Sequence, residues 1–327
     1  MAQEPRAEET RAEEPHFGEI RRMLGDLPDI DRDAASAAGH AALPGTGRLA
    51  TLARFLAGWQ GRTAPQLNHP RLTLFAASHG AAAALGLDPV AASEASVKRF
   101  LDGETPLNRL AESLDSDLRI YELSVELASG DFTQGPALEE ADCARAMTYG
   151  MIAVEPGIDV LALASISAES QLPAAALATL LLGGMAADWC GPSTDPARLA
   201  LIDKAVSLHA GTRADPLEAL RCLGGLDIAA MAGAILACRF ARTPVLIDGI
   251  EGLAAALVLR ALEPTAIQHC LLAHASADPL AAALGRALGF EPLLDLGIST
   301  GDGVASATAL SVLRAACACQ IAADQRN

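Results

Sequence analysis

The sequence predicts an α/β fold, a parallel β-sheet covered by helices on both faces. Three observations carry this. From residue 71 onward, short runs rich in Val, Ile and Leu alternate with Ala-rich stretches long enough to be helices. Near-continuous apolar strands separated by helices are the pattern of a parallel sheet buried on both sides. Apolar residues make up 51% of the chain and aromatics only 3%, so the core is expected to rest on many small, closely packed side chains. At 327 residues the chain is long for one core and suits a large domain with a smaller one.

Taken in order, residues 1–20 (MAQEPRAEETRAEEPHFGEI) are polar and Pro-containing and read as a disordered acidic leader. They hold no apolar stretch of the kind a signal peptide requires. Residues 17–65 read as helical, with a break at LPGTG (43–47) and an apolar face in LATLARFLAGW. Six strands are expected: RLTLFAA (71–77), LRIYELSV (118–125), IDVLALAS (158–165), TPVLIDG (243–249), QHCLLAHAS (268–276) and EPLLDLG (291–297). Helices are expected in PAAALATLLLG, IAAMAGAILACRF, GLAAALVLRAL, DPLAAALGRALG and GVASATALSVLRAACA. The uncharged run from Ser170 to Ala187 contains Pro173 and the pair Gly183-Gly184, and reads as a buried helix stopped by glycine rather than a membrane span. Thr194–Leu220 carries several charges and Pro216, and reads as a helical excursion between sheet units.

Charge and cysteine content exclude several functions. With 24 Lys and Arg against 40 Asp and Glu, the net charge is −16, and a phosphate backbone is bound by clustered cations, so nucleic acid is not an expected partner. The seven cysteines are scattered with no CxxC pair, which predicts reduced core thiols, a cytoplasmic location and no zinc site. Neither GxGxxG nor a P-loop is present, which counts against NAD and ATP.

In a parallel α/β sheet, ligands bind at the carboxyl ends of the strands. Those ends carry SHG (78–80), SISAES (165–170), DGIEG (248–252), HASAD (274–278) and STGDG (299–303). Gly301-Asp302-Gly303 before a helix offers free N–H groups to an anion, and Asp302 reads either as a base or as the N-cap of that helix. Asp248-Gly249 serves a ribose hydroxyl or a turn. His79 and His274 end strands and serve a ligand or the core. Arg198 and Lys204 are the cations of the excursion that suit a phosphate.

Together these stretches resemble nicotinate-nucleotide–dimethylbenzimidazole phosphoribosyltransferases. The segment ALRCLGGLDIAAMAGAILACRFARTPVLIDGIEGLAAALV carries the resemblance best. PAAALATLLLGGMAADWCG, FLAGWQGR, FAASHGAAA and EPLLDLG follow the family in the same order. The resemblance implies a Rossmann-like parallel sheet flanked by helices, a small helical domain built from the N- and C-terminal segments, and a homodimer. The division it suggests is a leader (1–20), N-terminal helices of the small domain (21–66), the large α/β domain (67–303) and a returning C-terminal helix (304–327). It implies transfer of phosphoribosyl from nicotinate mononucleotide to 5,6-dimethylbenzimidazole or a related base, as in assembly of the cobalamin lower ligand. No cofactor or metal is implied, because the pyridinium leaving group is already cationic.

The resemblance also distributes roles. Asp302 stands where the family's Gly-Glu-Gly-Thr-Gly segment has its catalytic Glu, one methylene shorter. Phosphate and ribose fall to Gly191, Arg198, Asp248, Gly249, Gly301 and Gly303, with the hydroxyls of Ser165, Ser167 and Ser170 replacing backbone contacts that this chain lacks. The acceptor base falls to Ser78, His79 and Leu296. The family's glycine-rich phosphate loop is replaced by ASISAESQL (164–172), which contains no glycine. That departure defines a second reading, a non-catalytic relative that binds a ligand or a partner subunit.

Overall fold

A computed structural model describes residues 15–324. Three helices, α1 (Phe17–Gly25), α2 (Arg32–His40) and α3 (Arg48–Gln60), precede β1 (Pro70–Ala76). Helices α4 (Pro89–Leu101) and α5 (Pro106–Ser113) lead to β2 (Asp117–Glu122), and α6 (Glu140–Met151) leads to β3 (Val160–Ser165). The long excursion to β4 (Val245–Ile247) holds α7 (Gln171–Leu182), α8 (Ala186–Cys190), α9 (Pro196–Leu208), α10 (Pro216–Leu223) and α11 (Leu226–Phe240). Helix α12 (Gly249–Leu262) joins β4 to β5 (Cys270–Leu272), and α13 (Pro279–Ala287) and α14 (Val304–Asp324) follow.

All five strands are parallel, in the order β2-β1-β3-β4-β5. Every residue of β1, β3 and β4 is buried, whereas β2 is an edge strand with exposed positions. The chain starts at β1, moves outward to β2, then returns to β3 on β1's other side. The carboxyl ends of β1 and β3 therefore flank the point where the strand order reverses.

Each sheet face has its own apolar layer. Leu161, Leu163, Val245 and Ile247 meet residues of α6, α7, α11 and α12. On the opposite face Leu72, Leu74, Ala162 and Leu246 meet Leu52 and Leu56 of α3, Leu107 of α5, and Leu310 and Leu313 of α14. Helices α7, α11 and α12 are buried over most of their circumference, which is why they lack a polar stripe. The uncharged run is thus α7, closed by Gly183 at φ +89°. Alanine and glycine let these helices approach closely: a Cβ on Gly150 of α6 would lie 1.8 Å from the Ala230 carbonyl oxygen of α11. One on Gly233 would lie 1.8 Å from that of Met147.

Two expectations are corrected. EPLLDLG is not a sixth strand. It runs irregularly beside the end of β5, with one bridge between Leu294 and His274 and bonds from Leu293 N–H to Leu272 O (2.9 Å) and Leu294 N–H to Ala273 O (3.1 Å). It has the sheet on one side only, and Asp295 and Leu296 are exposed, so no second ladder straightens it. The leader also ends earlier than expected, because Phe17 and Ile20 lie in α1 and are buried against the α6 layer. Phe17 N–H donates to Glu140 Oε1 at 3.1 Å. The rest of that stretch, 1–14, lies outside the described residues.

Among the described residues no helix is long and apolar enough to cross a membrane. All seven cysteines are free and six are buried. Burial raises the thiols of Cys190 and Cys317 to about 11, so these act as small apolar side chains.

Candidate active site

A cleft of about 300 Å³ opens at the reversal point. Its walls come from the end of β3, the first turn of α12, the start of α13, the loop before α14, and Arg99 and Phe100 of α4. Ser170 precedes α7, Gly249–Glu251 open α12, Asp278 precedes α13, and Gly301 and Asp302 precede α14. The N-terminal ends of four helices thus border one cavity, and their unpaired N–H groups and dipoles favour an anion. Asp278 caps its own helix, accepting from Ala281 N–H at 2.9 Å. The residues that precede α7 and α12, Ser170 and Asp248, make no side-chain cap.

The cleft floor is polar and buried. Asp227 of α11 is fully buried, and its Oδ2 lies 3.4 Å from Nε2 of His79. That separation makes the pair an ionic contact rather than a directional hydrogen bond. Ser165 Oγ donates to Asp227 Oδ2 at 3.0 Å, and Ile228 N–H donates to Oδ1 at 2.8 Å. Burial pushes Asp227 upward, yet the facing His79 above all, with the Ile228 N–H, outweighs it and holds the carboxyl at about 2. For His79 burial favours the neutral ring, but the facing Asp227 prevails and raises its pKa. Ser167 Oγ accepts from Ala77 N–H at 2.9 Å, tying the ends of β1 and β3 together. Ser93 Oγ does the same, donating to Ala77 O at 2.9 Å and accepting from Ala168 N–H at 3.1 Å.

Three more carboxyls stand around this floor. Asp248 ends β4 and is buried, and its Oδ2 accepts from Ser306 N–H of α14 at 2.9 Å. Burial above all, helped by nearby Asp302, pushes Asp248 up to about 7 against the opposing bonds from α14. Glu251 accepts a hydrogen bond from Ser170 Oγ through Oε1. Burial raises it to about 8, with the charge of Asp227 adding to the shift. Asp302 is half-buried on the cleft wall, and Val304 N–H reaches its Oδ1 at 3.4 Å. That long contact caps α14 weakly and leaves the carboxylate facing the cavity. Gly249 and Gly301 make this crowding feasible: a Cβ on Gly301 would lie 2.5 Å from the Gly249 Cα.

The structure therefore brings together Ser165, Ser167, Ser170, Gly249, Gly301 and Asp302. Asp248 and His274 line a smaller neighbouring cavity of about 120 Å³. The three serine hydroxyls are engaged within the protein, so they build the floor rather than stand free for a phosphate. The other sequence candidates lie elsewhere. Ser78 Oγ donates to Val125 O at 2.6 Å and holds the loop after β2. Leu296 is 59% exposed, and its N–H donates to His274 Nε2 at 2.6 Å. Gly191 ends α8 beside Pro279, and Gly303 turns the chain against Leu107. Arg198 is paired with Glu169, so its charge is already met.

Three residues were not singled out from the sequence. Glu251 sits in DGIEG and Asp227 in GGLDIAAMAG, and a carboxylate inside such apolar stretches was the available signal. Arg99, the cation on the cleft lining, follows Lys98 on an outwardly ordinary helix and carried none.

Comparison with known proteins agrees with this geometry. A family model described as phosphoribosyltransferase matches residues 29–325. Nicotinate-nucleotide–dimethylbenzimidazole phosphoribosyltransferase of Brucella canis is 39% identical over 316 residues, covering 93% of each chain. The enzyme of the same name from Rhizobium leguminosarum bv. trifolii is 40% identical over 320 residues, again covering 93% of each. A crystal structure of this phosphoribosyltransferase from Thermus thermophilus superposes with a TM-score of 0.74 at 27% identity, covering 93% of this chain and 94% of that one. With the sheet order, the cleft at its reversal point and relatedness over nearly the whole chain in agreement, this chain belongs to the nicotinate-nucleotide–dimethylbenzimidazole phosphoribosyltransferase family.

Proposed function

We propose that this chain transfers the phosphoribosyl group of nicotinate mononucleotide to a ring nitrogen of 5,6-dimethylbenzimidazole or a related base, releasing nicotinate. The observation that carries the reading is the position of Asp302, a carboxylate on the wall of a cleft bordered by helix N-termini. The phosphate is taken at the uncapped starts of α7 and α12, with Arg99 at the lining. As the bond between the sugar C1′ and the pyridinium nitrogen breaks, its electron pair neutralises the departing ring. The acceptor's unprotonated nitrogen forms the new bond to C1′, and Asp302 takes the proton from its other nitrogen. The carboxylate also steadies the positive charge that develops at the sugar. Asp in place of a longer Glu reaches less far by one methylene.

The built polar floor supports this reading over a non-catalytic relative, since it keeps several ionisable groups buried under a cavity instead of filling it with apolar side chains. The lost glycine loop is accommodated because Ser165 and Ser167 join the floor and leave the helix starts to meet the anion. The reading includes a homodimer as the working unit and a cytoplasmic location. Nicotinate release by the purified protein, with and without acceptor base, tests the activity. Asp302→Asn is expected to lower kcat by ~10²–10⁴-fold while leaving the melting temperature unchanged. Acceptor-dependent release that survives this substitution at full rate would remove Asp302 from its role.

A further inference from the structure

Among the described residues, Oε2 of Glu251 is the only buried carboxyl oxygen without a hydrogen-bond partner. The side chain is 5% exposed and stands in the uncapped first turn of α12. Ser170 occupies the other oxygen, Oε1. Oε2 is turned to the glycine contact at the cleft: it lies 2.9 Å from where a Cβ on Gly249 would sit and 3.6 Å from that position on Gly301. Leaving a buried polar atom unpaired is unfavourable, and a ligand in the cleft would supply the missing partner.

We propose that Glu251 binds the substrate phosphate as a neutral acid, donating its Oε2–H to a phosphate oxygen of the mononucleotide. The inference rests on the phosphoribosyl-transfer reading. An ionised carboxylate at the start of α12 would repel the very anion that the helix end attracts, whereas a protonated one adds a donor to the N–H groups already there. The surrounding charges favour the neutral form. Asp227 on α11 faces Glu251 and is matched by His79 from the end of β1. Glu169, after β3, is matched by Arg198 of α9. Asp248 at the head of the same helix, Asp278 before α13 and Asp302 before α14 add further acid around the cleft, against Arg99 of α4. Desolvation is the largest influence and raises the carboxyl to about 8, with Ser170 and His79 opposing.

Calorimetric titration of the full chain with nicotinate mononucleotide, without acceptor, tests this between about pH 7 and pH 9. The phosphate is a dianion throughout, because its second pKa lies near 6. Wild type is expected to lose about tenfold in affinity across this range as Glu251 ionises. Glu251→Gln keeps an N–H donor that cannot ionise, and its affinity should change less than about twofold. His79, Asp227 and Asp248 are common to both proteins, so the difference between the profiles reads Glu251 alone. A flat wild-type profile, an equal loss in Glu251→Gln, or no binding at any pH would overturn the proposal. Nicotinate release on the same samples separates the two readings. Turnover without pH-dependent affinity removes only the role of Glu251, and pH-dependent affinity without turnover removes only the transfer activity.

Discussion

The molecule uses the same device, two backbones brought together through glycine, in two regions for opposite ends. Between α6 and α11, Gly150 and Gly233 let apolar helices lie flush, each against a backbone carbonyl, within a layer of apolar side chains. At the cleft, Gly249 and Gly301 bring the start of α12 against the loop before α14, and the neighbours are Glu251, Asp248 and Asp302. Close approach in the first region maximises dispersion contacts and excludes water. In the second it gathers Glu251, Asp248 and Asp302 around the cleft and its neighbouring cavity, where burial rather than pairing sets the ionisation of the first two. The core pair serves helix packing, and the cleft pair gathers acidic groups at one cavity.

Substitutions can break or sharpen that contrast. The largest effect on folding is expected from Gly233→Ala, where the new methyl meets a backbone carbonyl that cannot yield. A loss of roughly 3 kcal/mol follows from overpacking of this kind, seen as a fall in the denaturation midpoint. The residual folded fraction should keep the wild-type KM. Gly301→Ala should reverse the pattern. Shifting the loop that carries Asp302 by on the order of 1 Å lowers kcat about a hundredfold and costs less stability than Gly233→Ala, because a loop can move where two packed helices cannot. Equal losses of stability from both glycine substitutions would dissolve the distinction.

The smallest effect concerns pH. Asp248 has a folded pKa of about 7 against an ordinary 3.8, so between these values the folded state binds the extra proton. Stability contributed by this group is therefore fully present below about pH 4 and declines as pH rises toward about 7. Asp227 has the opposite sign: held at about 2, its contribution is present above about pH 4 and is lost as pH falls. Asp248→Asn retains an acceptor for Ser306 N–H and cannot ionise. Thermal melts should show it gaining a few degrees on wild type at about pH 8 and none at about pH 4. A variant no more stable at either pH would show that burial of Asp248 carries no strain.

Where local pattern decides structure, the sequence was readable. The apolar runs of β1, β3 and β4, the uncharged α7 and the glycine that ends it all announce themselves within a dozen residues. EPLLDLG carried a strand-like pattern but lacked a second neighbour, and neighbours are not encoded locally. Phe17 and Ile20 were hidden in a polar leader because their burial depends on α6, more than a hundred residues away. Among the site residues, Asp302, Gly301 and Gly249 stand out because glycine flanks a carboxylate at a strand end. Ser78 and Leu296 share that sequence position, yet their atoms are spent on Val125 and His274.

The chain alone thus determined a parallel sheet with two apolar layers, and a set of strand ends rich in acid, serine and glycine. Those follow from side-chain polarity and spacing, which are properties of neighbouring residues. Only the tertiary structure decided which ends meet. The order β2-β1-β3-β4-β5 brings the starts of α7, α12, α13 and α14 to one cavity, pairs His79 with Asp227, and leaves one oxygen of Glu251 unsatisfied. The ionisation of those groups depends on desolvation and on partners distant in sequence, so it comes into being only when the fold closes.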